Sequence, residues 1–253
     1  MRTYSSNLNI RPEIVTRVAE NLLKLTSHGS RTTVDALAEH SMVSRDVALE
    51  VVSRLLGEGF DVDCIEVAGD VRLSIVLECL KDGAPAETLA RHVSWKDFEA
   101  LSAKILGEYG FSVLTNVRLR LLEKRFEVDV MAGKDSTLLV FDCKRWSSVL
   151  SGKRLSSILE GQVARCRMLA EYILSVLGSG GVAVEIIPVV LTLYGSSKQV
   201  ESGVAIVPIN LLGSFVERLP EIKYDLGRIN VRLGSALDVL FERMSGVRRR
   251  TND

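Results

Sequence analysis

The chain has 253 residues, and its composition excludes several classes of protein. Lys plus Arg and Asp plus Glu both total 32, so the formal net charge is zero and any surface for a polyanion has to be local. The four cysteines and three histidines are dispersed without metal-ligand spacing, which excludes a recognisable zinc site and favours the reducing cytoplasm. No apolar run reaches the roughly 20 residues that span a bilayer, so we expect no membrane anchor.

The N-terminal third of the chain has the periodicity of helices. Residues 33–40 predict a short helix, and Ser44 is a suitable N-cap for a second helix that runs to about residue 58. Two helices joined by so short a turn indicate a helix-turn-helix, whose second helix enters the major groove in proteins that bind DNA.

The residues after this pair predict a small hairpin. Residues 60–67 and 71–74 are strand-like and flank Gly69 and Asp70, so the segment 1–92 resembles a winged helix. It is interpreted either as a DNA-contacting module or as a helical packing or dimerisation module, because the second helix carries acidic as well as basic residues. Three arginines are candidates for phosphate contacts: Arg45, Arg54 and Arg72.

From Ser94 onward the pattern predicts an α/β domain. Ser94 is expected to cap a helix over residues 95–109 that ends at Gly110. Three strand-like runs follow as an antiparallel meander, then a long helix and two further strands. The predicted bounds are 111–120, 125–131 and 137–144 for the meander, 155–177 for the helix, and 182–194 and 204–208 for the last strands.

The predicted fold class is therefore α/β, with a mixed central sheet flanked by helices, preceded by an all-helical domain that resembles a winged helix. We expect three parts: the helical domain 1–92, the α/β domain 93–219 and a C-terminal hairpin and helix extension 220–253. Residues 222–244 within it are interpreted either as a dimerisation element or as a lid.

Charged residues interrupt two of the apolar strands. Asp142 and Lys144 are two residues apart, so they share a face of their strand, while Cys143 projects to the opposite face. An ionised group on such a strand has to be paired, hydrated or metal-bound, because uncompensated burial costs several kcal/mol per ion. An adjacent antiparallel strand would place Asp129 beside Asp142.

Two neighbouring carboxylates attract a hard divalent cation, Mg²⁺ or Mn²⁺. Glu99, on the helix before the meander, could add a third carboxylate if that helix packs over the strand ends. Glu127 shares the face of Asp129 but lies nearer Lys124, and Asp129 is preferred as a ligand. The alternative interpretation of Asp142 and Lys144 is a plain cross-strand or surface ion pair.

The order of these residues resembles the PD-(D/E)xK nucleases, the restriction-endonuclease-like superfamily. The resemblance covers residues 94–210 and is nearest to the Mrr-like restriction endonucleases and the archaeal Holliday junction resolvases. It rests on Glu99 in a helix, the strand that contains Asp129, and the strand Asp142-Cys143-Lys144, which Arg145 and Trp146 follow. The sequence lacks the proline before Asp129 and has Asp142 where Glu or Gln is more frequent.

This resemblance implies a Mg²⁺- or Mn²⁺-dependent endonuclease that hydrolyses DNA in restriction, repair or recombination. Asp129, Asp142 and Glu99 would hold the metal and Lys144 would be the catalytic lysine. A homodimer is usual where both strands are cut. The alternatives are a non-catalytic DNA-binding or assembly factor that keeps the nuclease fold, and an RNA nuclease. Candidate nucleic-acid contacts are Arg145, Trp146, Lys153, Arg154, Arg125, Arg45 and Arg54.

Overall fold

A computed structural model of the chain describes residues 10–57, 59–85, 88–89, 91–92, 94–144, 152–193 and 199–250. The chain forms two compact units, Met1–Phe98 and Glu99–Asp253. Among the described helices, none has both the length and the apolarity that crossing a bilayer requires.

The first unit is built from helices. They are α1 (Pro12–Leu25), α2 (Val34–Ser41), α3 (Arg45–Leu56) and α4 (Gly69–Lys81). Thr33 caps α2 by accepting from the amide of Ala36, and Ser44 caps α3 by accepting from the amide of Val47. Met42 ends α2 in the left-handed conformation at φ 50°, which provides the tight turn between the two helices. The helix pair predicted from the sequence is confirmed.

The predicted hairpin over residues 60–74 is wrong. Residues 71–74 lie inside α4, and the pairing in this region is one isolated bridge between Thr32 and Ile65. The helix forms because Arg72, Ile75, Val76 and Cys79 recur at three- and four-residue spacing and form its buried side. The described residues of this unit therefore contain no wing.

Arg72 is also not a phosphate contact. Its side chain is buried, and Nη1 donates to the carbonyl and hydroxyl oxygens of Thr26 at 3.1 and 3.0 Å. Nη2 donates to the carbonyl oxygens of Leu23 and His92. A guanidinium with five donors can satisfy several carbonyl groups at once, so Arg72 ties α1 to α4 and to the segment after it.

The second unit is a mixed sheet with helices. Helix α5 (Trp95–Glu108) leads into it, and the strands β1 (Ser112–Leu121), β2 (Lys124–Lys134) and β3 (Thr137–Lys144) form the predicted antiparallel meander. The other elements are α6 (Gly152–Leu177), β4 (Ser179–Thr192), β5 (Val200–Glu201), β6 (Val204–Pro208), α7 (Leu212–Ile222), β7 (Ile229–Leu233) and α8 (Leu237–Arg250).

The strand order is β1-β2-β3-β4-β6-β5, with β7 paired to β4 as well. β4 runs parallel to β3 and β6 and antiparallel to β7, so the sheet is mixed. Six of the eight residues of β3 are buried, as expected for a central strand covered on both faces. The predicted fold class of a mixed sheet flanked by helices, after a helical region, is confirmed.

Within the predicted C-terminal extension, β7 and α8 belong to this same unit. β7 pairs with β4, and Leu237, Leu240 and Phe241 of α8 belong to the core cluster that also contains residues of β2, β3 and α6. This core holds β2 and β3 at fixed positions on either side of the candidate site.

Candidate active site

The candidate site lies where β2 and β3 separate. Their pairing runs from Lys134 and Thr137 to Val130 and Phe141 and ends there, although β3 continues beside β4 to Lys144. At the point of separation, the Asp129 carboxylate accepts a hydrogen bond from the backbone amide of Cys143 at 2.8 Å. This contact fixes the carboxylate of one strand against the backbone of the next.

β2 is irregular at this point. Val128 and Met131 belong to the same core cluster although they are three residues apart, whereas a regular strand would direct them to opposite faces. The β1–β2 pairing is recorded on either side of Asp129 and Asn116 but not between them, and Asn116 has φ 51°. Asn adopts this conformation more readily than most residues. The β1–β2 ladder is therefore interrupted opposite Asp129, the residue that the sequence analysis singles out.

Asp142 is a buried carboxylate that two cations contact. It is 3% exposed, and its Oδ1 accepts from Lys144 Nζ at 3.0 Å and from Arg165 Nη1 at 3.1 Å. Two cations therefore offset the desolvation of one buried carboxylate. Asp142 and Lys144 lie on the same side of β3, as the spacing of two residues predicts.

Arg165 is a site residue that the sequence reasoning missed. It lies on α6 and also donates to Oε1 of Gln162, one helical turn earlier. Gln162 is fully buried, and its Nε2 donates to the carbonyl oxygens of Val140 at 2.6 Å and Val189 at 3.1 Å. The sequence does contain a sign of this pair. Gln162 and Arg165 are polar residues three apart in a helix, near the apolar side that carries Leu159, Cys166 and Leu169.

Residues 90–167 match the Mrr_cat family model, whose description is restriction endonuclease. The mixed sheet flanked by helices is in agreement with a restriction-endonuclease-like α/β fold. The resemblance to PD-(D/E)xK nucleases is thereby confirmed, and the matched segment contains Glu99, Asp129, Asp142, Lys144 and Arg165.

The chain is also similar to proteins without an assigned activity. An uncharacterized protein from Archaeoglobus fulgidus is 29% identical over 125 residues, which are 49% of this chain and 91% of that protein. Two crystal structures are similar, that of the protein of unknown function AF1548, at 19% identity and a TM-score of 0.33, and that of VC1899 from Vibrio cholerae, at 13% and 0.33. The matches cover 45% and 86% of this chain, and the chain spans 62% and 57% of those two structures.

Burial and neighbouring charges shift the pKa values of Asp129 and Cys143. Burial raises the pKa of Asp129, the Cys143 amide opposes this shift, and the negative charge of Asp142 adds to it. Burial, followed by the charges of Asp129, Glu99 and Asp142, raises the pKa of the Cys143 thiol well above its ordinary value. Cys143 is therefore a neutral, fully buried side chain that behaves as a small apolar core residue.

Glu99 is buried at 2% exposure, and its charge acts on the Cys143 thiol. The charges that act on Asp129 are those of Asp142, Arg165 and Lys144. The structure thus brings Asp129, Asp142 and Lys144 together, and it places Glu99 near the thiol of the residue between Asp142 and Lys144. The role of Glu99 as an accessory ligand stays a prediction.

The candidate nucleic-acid contacts lie in several places. Arg145 and Trp146 are outside the described residues. Lys153 and Arg154 are exposed in the first turn of α6, and Arg125 is exposed near the start of β2. In the first unit, Arg45 pairs with Asp35 at 2.9 Å and Arg54 pairs with Asp82.

The donor chemistry of the site fits a hard divalent cation such as Mg²⁺ or Mn²⁺. Asp129 and Asp142 supply carboxylate oxygens, and Asp142 Oδ2 receives no hydrogen bond from the residues that the structure describes. The described residues contain no group of three His, Cys, Asp or Glu side chains at metal-binding spacing. Mg²⁺ commonly takes one or two carboxylates and keeps several waters, so a pair of carboxylates is a sufficient protein contribution.

Proposed function

We propose that the chain is a metal-dependent endonuclease that hydrolyses phosphodiester bonds in DNA. The observation that carries the proposal is the meeting of Asp129, Asp142 and Lys144 at the separation of β2 and β3. The match of residues 90–167 to a restriction endonuclease family supports it, because the match includes all three residues.

Asp129 and Asp142 are the proposed ligands of Mg²⁺ or Mn²⁺, with Glu99 as an accessory ligand. The cation would polarise the scissile phosphate and lower the pKa of the attacking water. The protein contributes the fixed orientation of the two carboxylates, which the Cys143 amide and the two cations on Asp142 maintain. In the hydrolysis, a water oxygen forms a bond to phosphorus, the bond to the leaving oxygen breaks, and that oxygen gains a proton.

Lys144 is the proposed catalytic lysine. Its Nζ is a compact positive charge on a flexible stem with three donors, and it lies at the edge of the site with 24% of its side chain exposed. An ammonium group there stabilises the negative charge that develops on the phosphate oxygens during hydrolysis. The same unit carries three further exposed cations, Arg125, Lys153 and Arg154, and we propose that they contact DNA phosphates. The resemblance to the nuclease family implies the same role for Arg145 and Trp146.

Plasmid cleavage tests the proposal. With Mg²⁺ present, we expect Asp142→Asn and Lys144→Ala each to lower the cleavage rate by about 100-fold or more, the size of effect seen when one group that stabilises the transition state is removed. The matched control is Asp135→Asn, in the exposed turn between β2 and β3, where φ is 52° and Asn fits as well as Asp. This variant should cleave at the wild-type rate.

Circular dichroism must accompany these assays, because Asp142→Asn removes a buried charge that two cations contact. If both site variants are folded and cleave like the wild type, the catalytic proposal is wrong and a non-catalytic DNA-binding factor is favoured.

A parallel assay with duplex DNA and duplex RNA of one sequence tests the substrate. Cleavage of RNA alone would contradict the DNA assignment while keeping the nuclease.

A further inference from the structure

The two carboxylate oxygens of Asp142 differ in their hydrogen bonds, and the contacts of Arg165 and Gln162 explain the difference. Lys144 and Arg165 both donate to Oδ1, whereas no described residue donates to Oδ2. The residue is 3% exposed, and the two described side chains that contact its carboxylate are both cations on Oδ1. These two contacts orient the carboxylate.

Gln162 fixes the position of Arg165. Both carbonyl groups that accept from Gln162 Nε2 belong to the sheet, one on β3 and one on β4. An amide nitrogen has two hydrogens, so these two bonds use both of its donors and set the direction of the side-chain amide. Oε1 then has to face away from the sheet backbone, and it accepts from Arg165 Nη1.

The chain of contacts runs from the sheet backbone through Gln162 and Arg165 to Asp142. Each link is a hydrogen bond, and Gln162 is fully buried. Lys144 contacts the same Asp142 oxygen, and among the residues that the structure describes Asp142 is the one hydrogen-bond partner of its side chain. Within the described part of the chain, Arg165 is therefore anchored by a second residue and Lys144 is not.

We propose that Arg165 is a positioning residue, which holds Asp142 by Oδ1 so that Oδ2 serves as the metal donor and Lys144 can leave Asp142 for the phosphate. The inference rests on the proposed function. If Arg165 were absent, Lys144 would be the one cation left on this buried carboxylate among the described residues and would be retained by it. Asp142 would also rotate more freely, which costs affinity for a cation.

The test is Mn²⁺ binding by the full-length protein without nucleic acid, measured by the electron paramagnetic resonance of free Mn²⁺. We expect Arg165→Gln to raise the dissociation constant by about 10-fold or more, the usual range for the loss of a group that orients a metal ligand. Arg165→Lys, which keeps the charge but not the planar fork, should recover part of this loss. The matched control is Arg167→Gln, an exposed arginine on the same helix, and it should bind like the wild type.

An unchanged or a lower dissociation constant for Arg165→Gln would overturn the proposal, because it would mean that Arg165 competes with the metal or has no effect on it. If Arg165→Gln does not fold, Arg165→Lys decides: a several-fold weaker affinity supports the proposal, and wild-type affinity overturns it. Asp142→Asn separates this result from the proposed function. If Asp142→Asn abolishes Mn²⁺ binding and the Arg165 variants do not change it, only the role of Arg165 is wrong. If Asp142→Asn binds Mn²⁺ normally, the metal assignment itself is wrong, and the role of Arg165 with it.

Discussion

Individual charged residues in this chain have different functions that the sequence alone separates only in part. The spacing of Asp142 and Lys144 predicts a shared face because the side-chain period of a strand is two, and the structure has them on one side of β3. Arg72 and Arg165 were harder to interpret. An arginine in the sequence looks like a surface cation, and only the fold shows whether carbonyl groups or a carboxylate surround it.

Glu185 of β4 provides a test of a charged residue outside the site. Its carboxylate accepts from Lys223 Nζ at 2.7 Å and from Arg228 Nη1 at 2.6 Å, and the Lys223 contact is the main cause that lowers its pKa. A lowered pKa in the folded state stabilises the protein above the unfolded pKa, and this stabilisation is lost as the pH falls through the folded pKa.

We therefore expect Glu185→Gln to lower the free energy of unfolding by roughly 1 kcal/mol at pH 7, the typical net value of such hydrogen bonds. The difference from the wild type should shrink below about pH 4, near and under the ordinary pKa of Glu. Urea unfolding at pH 7, 5 and 3 measures it. Glu221→Gln is the control, because Glu221 is 76% exposed and lies 3.9 Å from Arg218, so it should change little. A difference that is independent of pH would contradict the ionic explanation.

At the scale of elements, the predictions from the sequence succeed where one period dominates a long segment. The three strands of the meander, the long helix α6 and β6 agree with their predicted bounds within a few residues. The strand prediction for residues 71–74 is wrong because Val71, Leu73 and Ile75 alternate with polar residues over a short stretch, as in a strand. The helical pattern appears only when the window extends to Cys79.

The packing of β2 on α8 gives a prediction at this scale. A Cβ added to Gly133 would overlap the Phe241 ring, closer than real Cβ contacts come, so the ring or the strand has to shift. We expect Gly133→Ala to lower the free energy of unfolding by about 1–3 kcal/mol, as overpacking does in other cores. Chemical denaturation measures the change.

Gly161 is the matched control for this substitution. It lies in α6, and a Cβ there meets no atom within 4 Å. Because alanine is favoured over glycine inside a helix by about 0.5–1 kcal/mol, Gly161→Ala should stabilise the protein. If both variants were equally destabilised, the contact with Phe241 would not be the cause of the Gly133 effect.

At the scale of the whole molecule, all proposed metal ligands belong to the second unit, residues 99–253. A ligand that binds only the folded state stabilises it by about 2.7 kcal/mol when its concentration is 100 times the dissociation constant. Amide hydrogen exchange should therefore slow in the presence of Mg²⁺, and we expect the protection in the strands and helix that surround the site, β2, β3 and α6. Peptides from residues 10–92 should exchange at the same rate with and without Mg²⁺.

Exchange followed by mass spectrometry measures both regions in one experiment. The control is Asp142→Asn, which lacks a proposed ligand and should show no protection. Mg²⁺-dependent protection confined to the helical unit, or equal protection in the variant, would place the cation elsewhere and remove the basis for assigning catalysis to Asp129 and Asp142.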